Sequence, residues 1–285
     1  MAEDRVIPDC AEKVSLLPCG EGADAGYWET RLQQNWGLHG VGHLSYGMHY
    51  NRWLYKVRRH IFNREMKRLH CKWMGCDILD VGSGTGFWID IWKALGVRSI
   101  TGSDVTQVAV DRLRQMHPSS QFARLDISDS LEKQNFDGTF DVISAFDVLF
   151  HITSNTRFAD SIANISRLLV PGGYFIFSDN FLHRPEVRSD HQVSRTLPEI
   201  CGVLSGAGFR IVRRAPMFIL MNTPVDSSSP WVVRFWRLMM LPVRMIRPLG
   251  FLYGAVLYPI ELCLTRLVQE SPTTELMICQ KVAAT

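Results

Sequence analysis

The stretch that most constrains the fold is Cys76-Asp77-Ile78-Leu79-Asp80-Val81-Gly82-Ser83-Gly84-Thr85-Gly86-Phe87-Trp88. The apolar run Ile78-Leu79 reads as a buried strand and is too short for a helix. It ends on an acid, turns through three glycines and opens a helix at Phe87-Trp88-Ile89-Asp90-Ile91. Gly82, Gly84 and Gly86 let the main chain turn tightly and let a ligand approach with no side chain in the way. The turn aims free N–H groups and the positive end of a helix at whatever lies above it. The spacing is G-x-G-x-G, whereas dinucleotide sites follow G-x-G-x-x-G, and Phe87 stands where their third glycine would be. Asp80, two places before the first glycine, suits a ligand with a cationic amino group better than a pyrophosphate.

The 285 residues suffice for one α/β core with extensions. A hydrophobic content of 46% with 21% charged residues is that of a folded domain, and a net charge of +3 is too small to argue for nucleic acid. The histidines are scattered without metal spacing and the seven cysteines form no C-x-x-C, so no metal is expected and the thiols fit a cytoplasmic protein. Residues 1–5 lack the basic and apolar regions of a secretory signal, and no uncharged apolar run reaches the ~18 residues of a membrane span. Oligomeric state is not legible.

Residues 1–24 are polar and read as a flexible tail. Residues 25–70 read as a helical N-terminal cap, aromatic and basic, with helical spacing from His49 to Leu69 and with Gly37, Gly40, Gly42 and Gly47 breaking its first half into turns. It could stack on RNA, pack on the domain, or cover a bound ligand with Tyr50 or Arg58 near that ligand's carboxylate. Beyond it strands and helices alternate, the pattern of a parallel sheet. The strands are expected at 98–104, 122–126, 140–146 running on into 147–152, and 174–180. Thr106 is placed to cap a helix over 107–116, and Val170-Pro171-Gly172-Gly173 reads as the stop of a helix over 156–169, followed by a turn. Open α/β sheets bind ligands at the carboxyl ends of their strands. Asp104 sits there, 18 residues past Gly86, the distance at which an acid meets ribose hydroxyls. Asp126 ends the third strand, where it can accept from an adenine amine.

The series Asp80-Val81-Gly82-Ser83-Gly84-Thr85-Gly86, Asp104, Asp126, Phe140-Asp141-Val142-Ile143 and Leu168-Leu169-Val170-Pro171-Gly172-Gly173 resembles, in order and spacing, the motifs of class I S-adenosylmethionine-dependent methyltransferases. The resemblance covers roughly residues 70–215 plus the last strand. It implies a Rossmann-like, seven-stranded, mostly parallel sheet with an antiparallel last strand near 274–281, and a cofactor, S-adenosylmethionine. It places the methionine part at Gly82, Ser83, Gly84 and Gly86, the ribose at Asp104 with Val105, and the adenine at Asp126 with Ile127. Asp80 is expected beside the amino group and Phe146 near the carboxylate. The methyltransferase domain is then 71–285, with a helical insertion at 222–271 before the last strand.

That insertion is rich in aromatic and aliphatic residues, and its charges are almost all arginine. It reads as helices packed on the sheet, as an apolar lid over the substrate, or as a membrane-surface contact through 231–266 that would make the protein peripheral to a membrane. An alcohol acceptor benefits from a base, and histidine is suited to that near neutral pH. His151 past the fourth strand, and His183 and His191 in the long polar loop past the fifth, are the candidates. Tyr50, Asn180 and Trp231 are the candidate substrate residues. The expected activity is methyl transfer to a small, apolar or lipid-carried molecule at a hydroxyl oxygen. Carbon or nitrogen methylation, methylation-coupled cyclisation, a non-catalytic membrane-associated binding protein of the same fold, and an NAD enzyme are the rivals.

Overall fold

The computed structural model describes residues 23–282. The expected tail lies outside them as far as residue 22, and Ala23 and Asp24 already belong to the first helix. That helix, α1 (Ala23–Gln34), carries few apolar residues and had no clear periodic signal. A winding segment leads to α2 (Gly47–Arg68), the long helix expected from the spacing after His49.

The alternating region follows as β1 (Asp77–Val81), α3 (Phe87–Ala94), β2 (Ser99–Asp104), α4 (Gln107–Met116), β3 (Gln121–Arg124), β4 (Phe140–Phe146), α5 (Asn155–Leu168) and β5 (Leu169–Asp179). Thr106 caps α4 as expected, its hydroxyl accepting the Ala109 N–H at 3.4 Å. A small hairpin, β6 (Val187–Ser189) and β7 (Gln192–Ser194), occupies the polar loop. Then come α6 (Leu197–Gly206), β8 (Phe209–Pro216), α7 (Pro230–Met245), α8 (Leu249–Leu267) and β9 (Glu275–Lys281). The main sheet has seven strands in the order β3-β2-β1-β4-β5-β9-β8. The strands from β1 to β5 pair in parallel, and β9 runs antiparallel to both its neighbours.

Alternate residues of the central strands feed two cores, as the period of a strand requires. Ile78, Val142 and Ile176 face α2 and α3, where Phe62, Trp88 and Trp92 are buried. Leu79, Ile143 and Phe175 face the opposite side, with Phe158, Ile162 and Leu204 of α5 and α6. Each such fully buried side chain contributes roughly 1.5–3 kcal/mol.

Two expectations at strand ends are corrected. β4 does not run on through 147–152. Asp147 takes a left-handed backbone, φ 57°, and Leu149–His151 form a tight helical turn. The helix before β5 stops at Leu168, and Val170-Pro171-Gly172-Gly173 lies inside the strand as an irregularity in its pairing with β4. Gly172 stands at φ 79°, and its carbonyl accepts from Gln280 Nε2 at 2.9 Å. Leu169 before this stretch and Tyr174 after it both pair with β4, so Val170-Pro171-Gly172-Gly173 is a bulge within β5 that Gln280 of β9 helps to hold.

The insertion forms the hairpin of α7 and α8, which packs on α2. Gly250 and Gly254 bring α8 against Tyr50 and Trp53, where an added Cβ would collide. The carboxylate of Glu261, fully buried, accepts the backbone N–H groups of Ile219, Leu220 and Met221 and anchors α8 to the end of β8.

Candidate active site

β1 reverses its neighbours' order: β2 lies on one side of it and β4 on the other, so a crevice opens at their carboxyl ends. The glycine turn fills the floor of that crevice. Gly82 and Gly84 stand at φ 69° and 52°. A Cβ on Gly82 would collide with Val148, and one on Gly84 would come within 2.9 Å of Val41 from the N-terminal cap. No larger residue fits either place. The turn is tied to β2, with Ser83 N–H donating to Ser103 O at 2.8 Å and Gly84 N–H to Asp104 Oδ2 at 2.9 Å.

Three carboxylates surround this turn in different states. Asp104 is buried, and its Oδ1 accepts from Thr106 N–H and hydroxyl at 3.0 and 2.7 Å. Burial raises its pKa, and those donors oppose the rise. Asp126 accepts from Ser128 at Oδ1 and from the Arg157 guanidinium at Oδ2, 2.6 Å away. Asp80 lies beneath the turn, between Gly102 and Ser144 in register. Its Oδ1 accepts from Ser144 Oγ at 2.6 Å, while Oδ2 is buried with no partner. Burial pushes its carboxyl up to about 7.

A cavity of about 230 Å³ opens over these residues, lined by Asp104, Asp126, Ser128 and Arg157 at polar positions and by Trp28, Leu32, Val41, Tyr55 and Phe146 at apolar ones. Phe146 stacks on Trp88 with ring centroids 3.7 Å apart. The roof is α1. Its Glu29 accepts the first N–H groups of α4, from Gln107 at 2.7 Å and Val108 at 3.1 Å. Its Trp28 meets His151 edge-on at 4.8 Å. Asp147 and His151, from the segment past β4, close one side.

Residues 79–177 match the family model of a methyltransferase domain. The chain carries a class I S-adenosylmethionine-dependent methyltransferase domain. Solved structures share the fold of this methyltransferase. A candidate sarcosine dimethylglycine methyltransferase from Galdieria sulphuraria superposes with a TM-score of 0.52 at 15% identity, over 79% of this chain and 85% of that one. The candidate methyltransferase bound to the Trm112 activator of Haloferax volcanii gives 0.52 at 15% identity, over 83% and 97%. The (4+2)-cyclase SpnF is similar more loosely, at 0.45 and 20% identity, over 74% and 76%. At such identities the likeness speaks for the fold and not for the acceptor. No curated protein matches the chain.

The residues of the methyltransferase crevice suit its cofactor, S-adenosylmethionine. Buried Asp80 and Asp104 leave an unbalanced negative potential under the turn, and a cationic amino acid end relieves it. The orphaned Asp80 Oδ2 is an acceptor without a donor. The glycine turn leaves open the space that a Cβ would fill.

Of the expected cofactor residues, Gly82, Ser83, Gly84, Asp104, Val105, Asp126, Ile127 and Phe146 line the cavity. Gly86 stands off its wall as the N-cap of α3, and Asp80 sits one layer beneath. His151 lines the cavity. His191 does not: its ring lies 6.2 Å from that of His151, stacked on Tyr27, and its carbonyl oxygen accepts from His151 Nδ1 at 2.9 Å. His183 is away from the cavity and paired with Asp226 at 2.7 Å, whose hydrogen bond raises its pKa. The expected substrate residues also stand elsewhere. Tyr50 is fully buried and donates to Met221 O at 2.9 Å. Asn180 bridges Ser194 and Thr274. Trp231 is 74% exposed on α7.

Sequence reasoning missed Trp28, Tyr55, Asp147 and Arg157. Asp147 falls in the strand-end segment that singled out His151, so position alone could have found it. The other three carry no local signal, because folding brings them in from α1, α2 and α5.

Proposed function

We propose that this methyltransferase methylates a hydroxyl oxygen of a small, apolar or lipid-carried molecule, with His151 accepting the hydroxyl proton. The observation that carries this reading is the state of His151. Burial lowers its pKa to about 4, so the ring is neutral at physiological pH. The His191 carbonyl only accepts, so Nδ1 carries the proton and Nε2 keeps the basic lone pair.

When bound, S-adenosylmethionine supplies a methyl group on a sulfonium, already activated for in-line displacement. The chain's own residues hold, align and exclude water. Asp104 with Val105 is assigned to the ribose hydroxyls and Asp126 with Ile127 to the adenine. Gly82, Ser83 and Gly84, with Asp80 beneath them, are assigned to the methionine end, beside Phe146. Trp28 and Leu32 of α1 keep water from the roof, and Tyr55 and Val148 make the walls apolar, which favours an apolar acceptor.

The test follows tritium from labelled S-adenosylmethionine into a cell extract, with mass spectrometry of the product. A methyl ether is expected. His151→Ala should lower kcat by about 10²–10⁴-fold while S-adenosylhomocysteine binds as before. An N- or C-methylated product, or an unchanged kcat, overturns the reading. Asp104→Asn replaces an accepting oxygen with a donor, and the lost charged hydrogen bond should weaken cofactor binding about tenfold or more.

A further inference from the structure

Twelve of the nineteen exposed large apolar side chains among the described residues fall within α7, α8 and the turn between them. They are ordered. Trp231, Phe235, Leu238 and Met245 follow each other at helical spacing on one side of α7, with exposures of 74, 65, 69 and 74%. Trp236, Met240 and Val243 on the opposite side are buried in the core. On α8, Leu252, Val256 and Leu267 repeat the arrangement opposite buried Gly250, Leu257 and Glu261. A soluble surface rarely concentrates apolar side chains this way unless something covers them.

The charge of this hairpin is one-sided. Arg234, Arg237, Arg244, Arg247 and Arg266 are all exposed, and the sole acid of the two helices, Glu261, is buried. Arg234 lies over the Trp231 ring at 5.6 Å. A second copy of the chain meeting this face across a two-fold axis would set arginine against arginine. An anionic lipid surface meets both features, taking the aromatic and aliphatic side chains among its acyl chains and the guanidinium groups among its phosphates. No described helix is long and apolar enough to cross a membrane, so contact is at the interface.

We infer that the outer face of α7 and α8 docks the protein on a bilayer that carries anionic phospholipids. The inference does not depend on which acceptor is methylated, and its test reads no activity.

The full-length protein is floated with vesicles of phosphatidylcholine containing phosphatidylglycerol, and with phosphatidylcholine alone. It should float with the anionic vesicles, less with neutral ones, and less as salt is raised. Phe235→Glu with Leu238→Glu should abolish flotation. Arg234→Glu with Arg237→Glu should weaken binding to anionic vesicles about tenfold or more. Both double variants alter exposed residues, so their melting temperatures should match the parent. The inference is overturned if the parent fails to float with anionic vesicles, if either double variant floats undiminished, or if sedimentation shows a dimer that Phe235→Glu with Leu238→Glu splits while vesicles are ignored.

Discussion

Arg58 of α2 places Nη2 2.7 Å and Nε 2.9 Å from Oδ2 of Asp147, the residue on which β4 turns away from the sheet. Asp147 holds a left-handed backbone, φ 57°, that costs roughly 1–2 kcal/mol. Ser178 helps to hold it, accepting its N–H at 2.9 Å and donating to Oδ1 at 2.8 Å. This pair fastens the N-terminal cap to the active edge. Asn tolerates the same backbone, so Asp147→Asn removes the charge and one of the two accepting oxygens, and it strands a buried guanidinium. The expected loss is about 3 kcal/mol, read as a lower urea midpoint. An unchanged midpoint would mean that the pair does not hold the cap.

The roof is fastened more lightly. Glu29 caps α4 from another helix, and such a cap contributes about 1 kcal/mol. Glu29→Ala should raise the Kd for S-adenosylhomocysteine roughly fivefold, with faster dissociation and faster proteolysis within α1. Calorimetry and limited digestion check this. If both stay as in the parent, α1 is docked by its other contacts.

Stability should depend on pH in two stages when no ligand is bound. Burial pushes Asp80 and Asp179 up to about 7 and about 8, so below those values the folded state holds protons that unfolded carboxyls, titrating near 3.8, have lost. Stability therefore rises as pH falls from 8 to about 6.5. Burial lowers His43 and His151 to about 4, so between 6.5 and 4 the unfolded state binds more protons at these groups, which opposes the rise. Urea midpoints should climb and then level off. Asp179→Asn should flatten the upper limb, and a monotonic fall from pH 8 to 6.5 would contradict the sign.

The same lowering of His151 bears on activity. A base that protonates near 4 stays competent through the neutral range. With S-adenosylmethionine saturating, the profile of kcat should be level from pH 8 to about 5 and fall below it. A fall centred near 6.5 would point to a different, more exposed base.

The crevice was legible because its parts are local. A strand, an acid and three glycines in series admit few backbone paths, and Thr106 one residue ahead of α4 is a cap by its own chemistry. The alternation of strands and helices set a parallel sheet, and with it the edge where Asp104 and Asp126 stand. Long-range contacts settled the rest. The α1 roof is held by Glu29 on α4 and by Arg31, which donates to the carbonyls of Gly40 and Gly42, and none of this shows in helical periodicity. Val170-Pro171-Gly172-Gly173 keeps a turn-like backbone at Gly172 yet sits as a bulge inside β5, because Leu169 before it and Tyr174 after it both pair with β4. His151 and His183 look alike as loop histidines. Which one meets the cavity depends on how the loops fold, and Asp226, 43 positions away, holds His183 elsewhere. Local spacing determines strands, turns and caps, whereas partners distant in the chain decide which side chains share a cavity, since only packing brings them within a few ångströms.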